Sequence, residues 1–316
     1  MMQTHVVLDG NDYTINFELD IEREIDVESV VRDKDGRNVW GADWFIDRRC
    51  CSLGRMQTVP QRERLGGRRM RLLSQEQIRD YSDKRVMLPL SGGINSMAVL
   101  CFLGEEFPDE YKPKILFLYY SHLTEHSPDT LRFVRDGIQY AKRTFRSVKV
   151  GFNVASVNDY FISQNMIPHP TISPCSRDLK MRRLDAFYAA NNCDVRLIGY
   201  VSHEVSNRYN RAKKYVDHSF EYPILEFTEQ DCFEIVDRVI GWHPAIYDIK
   251  ENGKRVFTHN NCLPCKNMSL KQLQAVGRYF PQYARKAEQT AAAIPGAYWG
   301  RDDVPEVFKC DVCERL

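Results

Sequence analysis

The sequence lacks an excess of charge of either sign, and it lacks any long hydrophobic run. Its 44 lysine and arginine residues are balanced by 43 aspartate and glutamate residues, so the whole chain has no electrostatic attraction to nucleic acid or to a membrane surface. No apolar stretch approaches the roughly 20 residues that span a bilayer. The first residues, with Asp9, Asp12 and Glu18, lack the pattern of a signal peptide. We therefore expect a cytoplasmic protein without a membrane partner.

Two common nucleotide-binding motifs are also missing. No glycine is followed at the required spacing by the Gly-Lys-Ser/Thr of a Walker A loop, and no Gly-x-Gly-x-x-Gly occurs. These absences exclude two patterns of nucleotide binding without excluding nucleotides as ligands. With 316 residues, 43% of them hydrophobic, the chain can bury a sizeable core and is expected to form about two structural units.

Sequence periodicity divides the chain into three regions. Alternating apolar residues at 13–19, after the turn dipeptide Asp9-Gly10, predict a hairpin in a small β-rich N-terminal unit. This unit, residues 1–75, includes an arginine-rich segment at 61–71 that is either a solvated loop or an arm that contacts phosphates. We expect an α/β domain at residues 76–240 and a smaller C-terminal lobe, bearing two Cys-x-x-Cys pairs, at 241–316.

The middle region alternates short apolar runs with helical patterns. Candidate strands lie at 86–90, 115–119, 148–152 and 195–199, and Ser127-Pro128 is typical of a helix start. Strand and helix in regular alternation predict a doubly wound, mostly parallel sheet with helices on both faces.

A glycine-bearing loop follows the first of these strands. Ser91-Gly92-Gly93-Ile94-Asn95-Ser96 stands between the strand and an apolar helix. Glycines allow a backbone to approach an anion closely, and the free N–H groups at a helix start stabilise negative charge. Ligands of open α/β sheets bind beyond the carboxyl ends of the strands, where this loop lies. The sequence therefore predicts a phosphate site here, with Ser91 and Ser96 as hydroxyl donors.

This strand, loop and helix resemble the pyrophosphate loop of the adenine nucleotide alpha hydrolase superfamily, the PP-loop ATP pyrophosphatases, which often reads Ser-Gly-Gly-x-Asp-Ser. The resemblance implies a Rossmann-like fold that binds ATP or a related adenine nucleotide with Mg²⁺. Asn95 stands where aspartate is usual, and an amide cannot give a carboxylate to the metal. Tyr120 and Ser121, on the adenine side in the superfamily, are candidates for contact with the base.

Four later segments resemble the phosphoadenosine phosphosulfate reductase family, over residues 80–275. They read Pro174-Cys175-Ser176-Arg177-Asp178-Leu179-Lys180, then Gly199 to Arg208, Tyr222 to Glu229, and Asn261-Cys262-Leu263-Pro264-Cys265. The resemblance implies catalytic roles for Cys175, Lys180 and Arg208 and a nucleotide contact for Arg177. Glu204 is expected to orient an arginine.

The end of the chain departs from the family pattern. Sulfonucleotide reductases end in Glu-Cys-Gly-x-His, whereas this chain ends with Cys310-Asp311-Val312-Cys313 and three further residues. The resemblance then favours an enzyme that adenylates an acceptor, such as nucleic acid, for sulfur transfer from a sulfur donor protein. A sulfonucleotide reductase that uses a C-terminal cysteine and a non-catalytic nucleotide-binding subunit stay open as alternatives.

The ten cysteines suggest a metal site rather than disulfides. One candidate set is the two Cys-x-x-Cys pairs, Cys262 with Cys265 and Cys310 with Cys313, which suit Zn²⁺ or an iron–sulfur cluster. The alternative set implied by the family resemblance is Cys175, Cys262 and Cys265 holding a [4Fe–4S] cluster with one open iron. Three further cysteines, at 101, 193 and 232, are expected in the core.

Overall fold

In a computed structural model of the chain, the described residues are 2–8, 11–17, 79–168, 173–209 and 220–297, with Trp299 and Phe308. The chain divides into two compact units, 1–71 and 72–316. The first contains the predicted hairpin, whose strands β1 (Met2–Leu8) and β2 (Asn11–Phe17) pair antiparallel. The turn dipeptide and the arginine-rich segment lie outside the described residues, and the lobe boundary at residue 240 stays a prediction.

The second unit is built on a five-stranded sheet of order β5-β4-β3-β6-β7, in which all neighbouring strands are parallel. The strands are β3 (Arg85–Leu90), β4 (Ile115–Leu123), β5 (Val148–Ala155), β6 (Val195–Leu197) and β7 (Phe220–Glu221). The predicted α/β fold class is confirmed. From β3 the chain adds β4 and β5 on one side, and it then returns to add β6 and β7 on the other side. The strand order therefore switches between β3 and β6, and open sheets bind ligands at such a switch point.

Eight α-helices are described in this unit. They are α1 (Ile94–Glu105), α2 (Thr130–Thr144), α3 (Val157–Ser163), α4 (Pro174–Ser176), α5 (Arg182–Ala190), α6 (Glu229–Val239), α7 (Leu270–Tyr279) and α8 (Pro281–Ala292). A π-helical turn, Arg177–Met181, joins α4 to α5. None of the described helices has the length and apolarity to cross a membrane.

Helices pack on both faces of the sheet, as the doubly wound pattern requires. On one face, Leu184 of α5 joins a buried cluster with Met87, Phe117, Tyr119 and Cys193. Helix α1, which is buried on nearly all sides, contacts α2 and α6. The three cysteines expected in the core are buried as predicted, with exposures of 8% or less.

Several predicted boundaries were wrong, including the end of β5, at Ala155 rather than 152, and the end of β6, at Leu197 rather than 199. Helix α2 begins at Thr130 rather than at Ser127-Pro128, because the Ser127 hydroxyl is engaged elsewhere, with Thr130 at 2.8 Å and Asn260 at 2.9 Å. Strand β4 runs to Leu123, four residues beyond its predicted end. Its extension pairs with β5 as far as Ala155, so Tyr120 and Ser121 lie within the strand rather than at its end.

Candidate functional site

The glycine-bearing loop lies where the sequence predicts it, between the central strand β3 and helix α1. Gly93 is the N-cap of α1, and no side chain caps the helix there. The Ser96 hydroxyl accepts a hydrogen bond from the Ser91 amide at 3.1 Å and lies 3.0 Å from the Ser91 hydroxyl. It also donates to the Gly93 carbonyl at 3.0 Å. The two serines therefore close the loop on itself.

Glycine is required at two close approaches around this loop. Gly92 has a φ of +77°, and a Cβ there would lie 2.3 Å from Cγ2 of Thr130 in α2. Gly199 follows β6, and a Cβ on it would lie 2.9 Å from the Asn95 carbonyl oxygen. The segments after β3 and β6 thus meet at the switch point of the sheet.

Two loop amides that we expected to be free are already bonded. The Gly93 amide donates to the Ser91 hydroxyl at 3.2 Å, and the Ile94 amide donates to the Tyr247 hydroxyl at 3.1 Å. Among the described residues, the amides of Gly92, Asn95 and Ser96 have no acceptor. These three are the loop amides that remain for an anion, because side chains already satisfy those of Ser91, Gly93 and Ile94.

Sequence reasoning missed two residues that fix the loop by hydrogen bonds, Asn260 and Tyr247. Asn260, which is 6% exposed, donates through Nδ2 to the Gly92 carbonyl and to the Thr130 hydroxyl, both at 2.8 Å. Its backbone amide donates to the Tyr247 hydroxyl at 3.2 Å. Neither residue belongs to a recognisable motif, and each contacts a loop more than 150 positions earlier in the chain, so no local signal could have revealed them.

Asn95, which replaces the usual aspartate, faces a buried carboxylate. Its Nδ2 lies 3.5 Å from Oε2 of Glu204, whose side chain is 6% exposed and pairs through Oε1 with Arg208 at 2.8 Å. The Glu204–Arg208 pair matches the expectation that this glutamate orients an arginine. An aspartate at position 95 would place a second carboxylate beside Glu204, and Arg208 alone would have to neutralise both. An amide avoids this repulsion between like charges.

Several predicted site residues line one cavity of about 330 Å³. Three thiols border it, those of Cys175, Cys262 and Cys265, and the cations are Lys180, Arg208 and Lys266. Lys266 was not predicted. The catalytic candidates and the alternative cysteine set are therefore brought together, although they come from three separate motifs.

Burial dominates the electrostatics of these thiols. It raises the pKa of Cys262 to about 12, and the nearby charge of Lys180 opposes that rise. The pKa of Cys175 is raised as well, again mainly by burial, with Lys266 and Lys180 acting against it. Burial lowers the pKa of Lys266. A thiolate in this cavity therefore depends on positive charge from a bound metal or from the lysines.

No three His, Cys, Asp or Glu side chains among the described residues are arranged to hold a single metal ion. Cys310 and Cys313 lie outside those residues, so the set of four cysteines stays a prediction. In a [4Fe–4S] cluster each thiolate binds a different iron, so the sulfur atoms can lie farther apart than around one ion. The set of three cysteines therefore stays a prediction as well.

Other predicted residues lie apart from this cavity. Arg177, whose side chain is 61% exposed, pairs with Asp178 at 2.8 Å and borders a different depression beside Tyr160. The ring of Tyr120 is 1% exposed, and its hydroxyl lies 3.1 Å from Nδ1 of His122 and 3.0 Å from Nδ1 of His126. The nucleotide contacts proposed for Arg177, Tyr120 and the half-buried Ser121 stay predictions.

Comparison with known proteins does not assign a family. No protein-family model matches the sequence, and no curated protein does. Among solved structures, the chain is similar to the U34-tRNA thiolase NcsA from Methanococcus maripaludis with its [4Fe–4S] cluster, at 14% identity and a TM-score of 0.37, over 77% of this chain and 83% of that one. It is also similar to NMN synthetase from Francisella tularensis, at 12% identity and a TM-score of 0.37, over 68% and 93%.

A third similar structure is phosphoadenylyl-sulfate reductase from Candida auris in a phosphate complex. Its identity is 11% and its TM-score 0.36, over 54% of this chain and 83% of that one. These similarities are too low to indicate a function. The residues of this chain, and the contacts between them, have to indicate it instead.

Tyr247 lies in the short helical turn Ala245–Asp248, which a histidine between two carboxylates connects to helix α6. His243 lies with Nδ1 2.6 Å from Asp237 of α6 and with Nε2 3.3 Å from Asp248. The hydrogen bond with Asp237 raises the pKa of His243 above its usual value, against the opposing effect of burial. The protonated ring can donate to both carboxylates at once, which joins α6 to this turn.

This connection predicts a pH-dependent contribution to stability. A histidine whose pKa is raised on folding stabilises the protein fully below its unfolded pKa of about 6.5 and loses that contribution as pH rises through the folded value. We expect the melting temperature of the wild type to exceed that of His243→Gln most at mildly acid pH and least at alkaline pH. A difference that stays constant with pH would mean that the ring acts by packing alone.

Proposed function

We propose that this chain is a PP-loop ATP pyrophosphatase of the phosphoadenosine phosphosulfate reductase-like family that adenylates an acceptor for sulfur transfer. One observation supports it above the others. Glu204 lies beside Asn95 of the loop at 3.5 Å and is ion-paired at 2.8 Å with Arg208 of the cavity. A phosphate-binding corner and a cavity with thiols and cations are therefore neighbours, which is the arrangement that adenylation followed by sulfur transfer needs.

The chemistry can be assigned to groups in this site. An acceptor oxygen attacks the α-phosphorus of ATP, and the bond from that phosphorus to the oxygen bridging to the β-phosphorus breaks. Pyrophosphate is the leaving group, and the loop at Ser91 to Ser96 binds it. A sulfur nucleophile then displaces AMP from the activated acceptor. Lys180 and Arg208 stabilise negative charge that develops on the phosphates. Mg²⁺ would arrive with the nucleotide, since Asn95 gives it no carboxylate.

The thiol cavity would hold the sulfur. Cys175, Cys262 and Cys265 fit as ligands of a [4Fe–4S] cluster, because their thiolates would bind three of its irons and the three cations of the cavity would offset the thiolate charge. Such a cluster would supply an open iron position for sulfide. The partners implied are a sulfur donor protein and a nucleic-acid acceptor, for which the arginine-rich segment 61–71 is a candidate contact.

Two nearby cations offer a matched test of the proposal. Lys180 borders the cavity, whereas Arg182, two positions later, is 69% exposed and pairs with Asp178 at 3.1 Å. We expect purified protein with ATP and Mg²⁺ to release AMP and pyrophosphate when bulk transfer RNA or duplex DNA is present. Lys180→Gln should lower this rate by roughly 100-fold, because it removes a charge that we propose faces the phosphates, and Arg182→Gln should leave it nearly unchanged.

Other outcomes would favour the alternatives. Release of ADP, or equal loss in both variants, would contradict the proposal. The same cation-lined thiol cavity also suits the sulfate group of a sulfonucleotide, so thiol-dependent release of sulfite, lost in Cys310→Ser or Cys313→Ser, would favour a reductase. Tight ATP binding without turnover in any mixture would favour a nucleotide-binding subunit.

A further inference from the structure

The hydroxyl of Tyr247 lies at the start of helix α1, under the phosphate loop. Tyr247 belongs to the short helical turn Ala245–Asp248 and is 2% exposed. A Cβ placed on Gly93 would lie 3.5 Å from the hydroxyl oxygen. The ring is fixed edge-on against Phe233 of α6, with ring centroids 5.2 Å apart. The hydroxyl is therefore held in one place beside the loop backbone.

The hydrogen bonds of this oxygen leave only its proton unused. It accepts from the amide of Ile94 at 3.1 Å and from the amide of Asn260 at 3.2 Å. A tyrosine hydroxyl can accept two such bonds and donate one, so these amides fill its accepting capacity. Among the residues that the structure describes, no acceptor for the hydroxyl proton is found. A buried donor that leaves water without gaining an acceptor costs free energy, so the unused proton of Tyr247 calls for an explanation.

We propose that Tyr247 donates this proton to a phosphate oxygen of the pyrophosphate part of the nucleotide. The inference rests on the proposed function, because it uses the same loop. The two amides that donate to the oxygen make its proton a better donor, since hydrogen bonds in a chain polarise one another. A phosphate oxygen is an acceptor, and the start of α1 already favours negative charge there. Tyr247 thus completes a phosphate site in which two loop amides are already engaged.

The contacts also allow the hydroxyl to act only as an acceptor that occupies the Ile94 amide. The two roles predict opposite changes in nucleotide affinity when the hydroxyl is removed. If the hydroxyl only occupied the Ile94 amide, its removal would free an anion-binding N–H group and nucleotide would bind equally well or more tightly. If the hydroxyl donates to phosphate, its removal weakens binding. Tyr247→Phe distinguishes these cases, because phenylalanine keeps the ring and its packing.

The test is calorimetric titration of the full chain with ATP, inorganic pyrophosphate and AMP. Loss of a hydrogen bond to a charged group should weaken the binding of ATP and of pyrophosphate to Tyr247→Phe by roughly 10- to 100-fold. AMP, which lacks the pyrophosphate part, should bind both proteins alike. Tyr81→Phe is the matched control, because Tyr81 is 3% exposed and its hydroxyl donates to Glu221, away from the loop.

The outcomes separate this inference from the function on which it rests. ATP binding that is unchanged or tighter in Tyr247→Phe, or lost equally for AMP, would overturn the role of the hydroxyl and leave the proposed function standing. A wild type that binds neither ATP nor pyrophosphate would overturn the function itself.

A second measurement keeps the hydroxyl and so does not depend on the variant folding. With 3-fluorotyrosine placed only at position 247, added pyrophosphate should shift the fluorine resonance. The absence of a shift at saturating pyrophosphate would count against the donated hydrogen bond.

Discussion

Replacing Gly92 with alanine is expected to destabilise the protein by roughly 2–5 kcal/mol and to abolish nucleotide binding. The backbone φ of +77° is one that an alanine adopts at a cost of about 1–2 kcal/mol. The added Cβ would also lie 2.3 Å from Cγ2 of Thr130, and such overpacking adds about 1–3 kcal/mol. Since Thr130 is fully buried at the start of α2, the loop rather than the helix has to move. Urea denaturation and ATP titration would measure the two effects.

The chain offers controls that separate backbone strain from the clash. Gly253 has nearly the same φ, +75°, but no atom would lie within 4 Å of a Cβ added to it, so Gly253→Ala should show strain alone. Thr130→Ser removes the clashing methyl group and keeps the hydroxyl that bonds Ser127 and Asn260. In the Gly92→Ala/Thr130→Ser double variant, stability and ATP binding should recover in part. Equal costs for Gly92→Ala and Gly253→Ala would show that the close approach is unimportant.

The sheet and the loop could be predicted because their signals are local. A short apolar run before two glycines, and an apolar helix after them, define the corner that contains Ser91 and Ser96 wherever the rest of the chain lies. The parallel, doubly wound class of sheet then follows from regular alternation of strands with helices, whereas the strand order and the two-residue strand β7 come from the structure. By contrast, the start of α2 could not be predicted, because Ser127 gives its hydroxyl to Asn260, a residue 133 positions away.

The cavity was predictable only as a set of candidate residues. The family resemblance gave Lys180 a catalytic role and Arg177 a nucleotide contact, but it could not show that only Lys180 borders the cavity. Their different environments follow from the π-helical turn that carries them, together with Asp178, which takes Arg177 as its partner. The sequence around Tyr247 and Lys266 shows no periodic pattern. Only the folded structure shows that Tyr247 contacts the loop and that Lys266 borders the cavity.

Replacing Cys262 with alanine is expected to abolish cluster assembly while leaving the fold intact. Cys262 is 8% exposed and borders the cavity with Cys175 and Cys265, and its buried thiol has a pKa of about 12. A thiol this hard to ionise is a poor ligand until a metal ion displaces its proton. Once it is lost, two thiols remain in the cavity, too few to retain a cluster against exchange with solvent thiols.

Cys193→Ala is the matched control for this prediction. Cys193 is also 8% exposed and its pKa is raised to about 11, but it packs in the core beside Met87 and Phe117. After anaerobic reconstitution with ferrous iron and sulfide, the wild type and Cys193→Ala should each hold about four iron and four sulfide per chain. Cys262→Ala should hold almost none. Zinc uptake by the wild type in place of iron, lost in Cys310→Ser, would instead favour the two Cys-x-x-Cys pairs as the ligands. Because both alanine variants lose a thiol from a residue that is 8% exposed, a difference in iron content between them would point to the cavity as the cluster site.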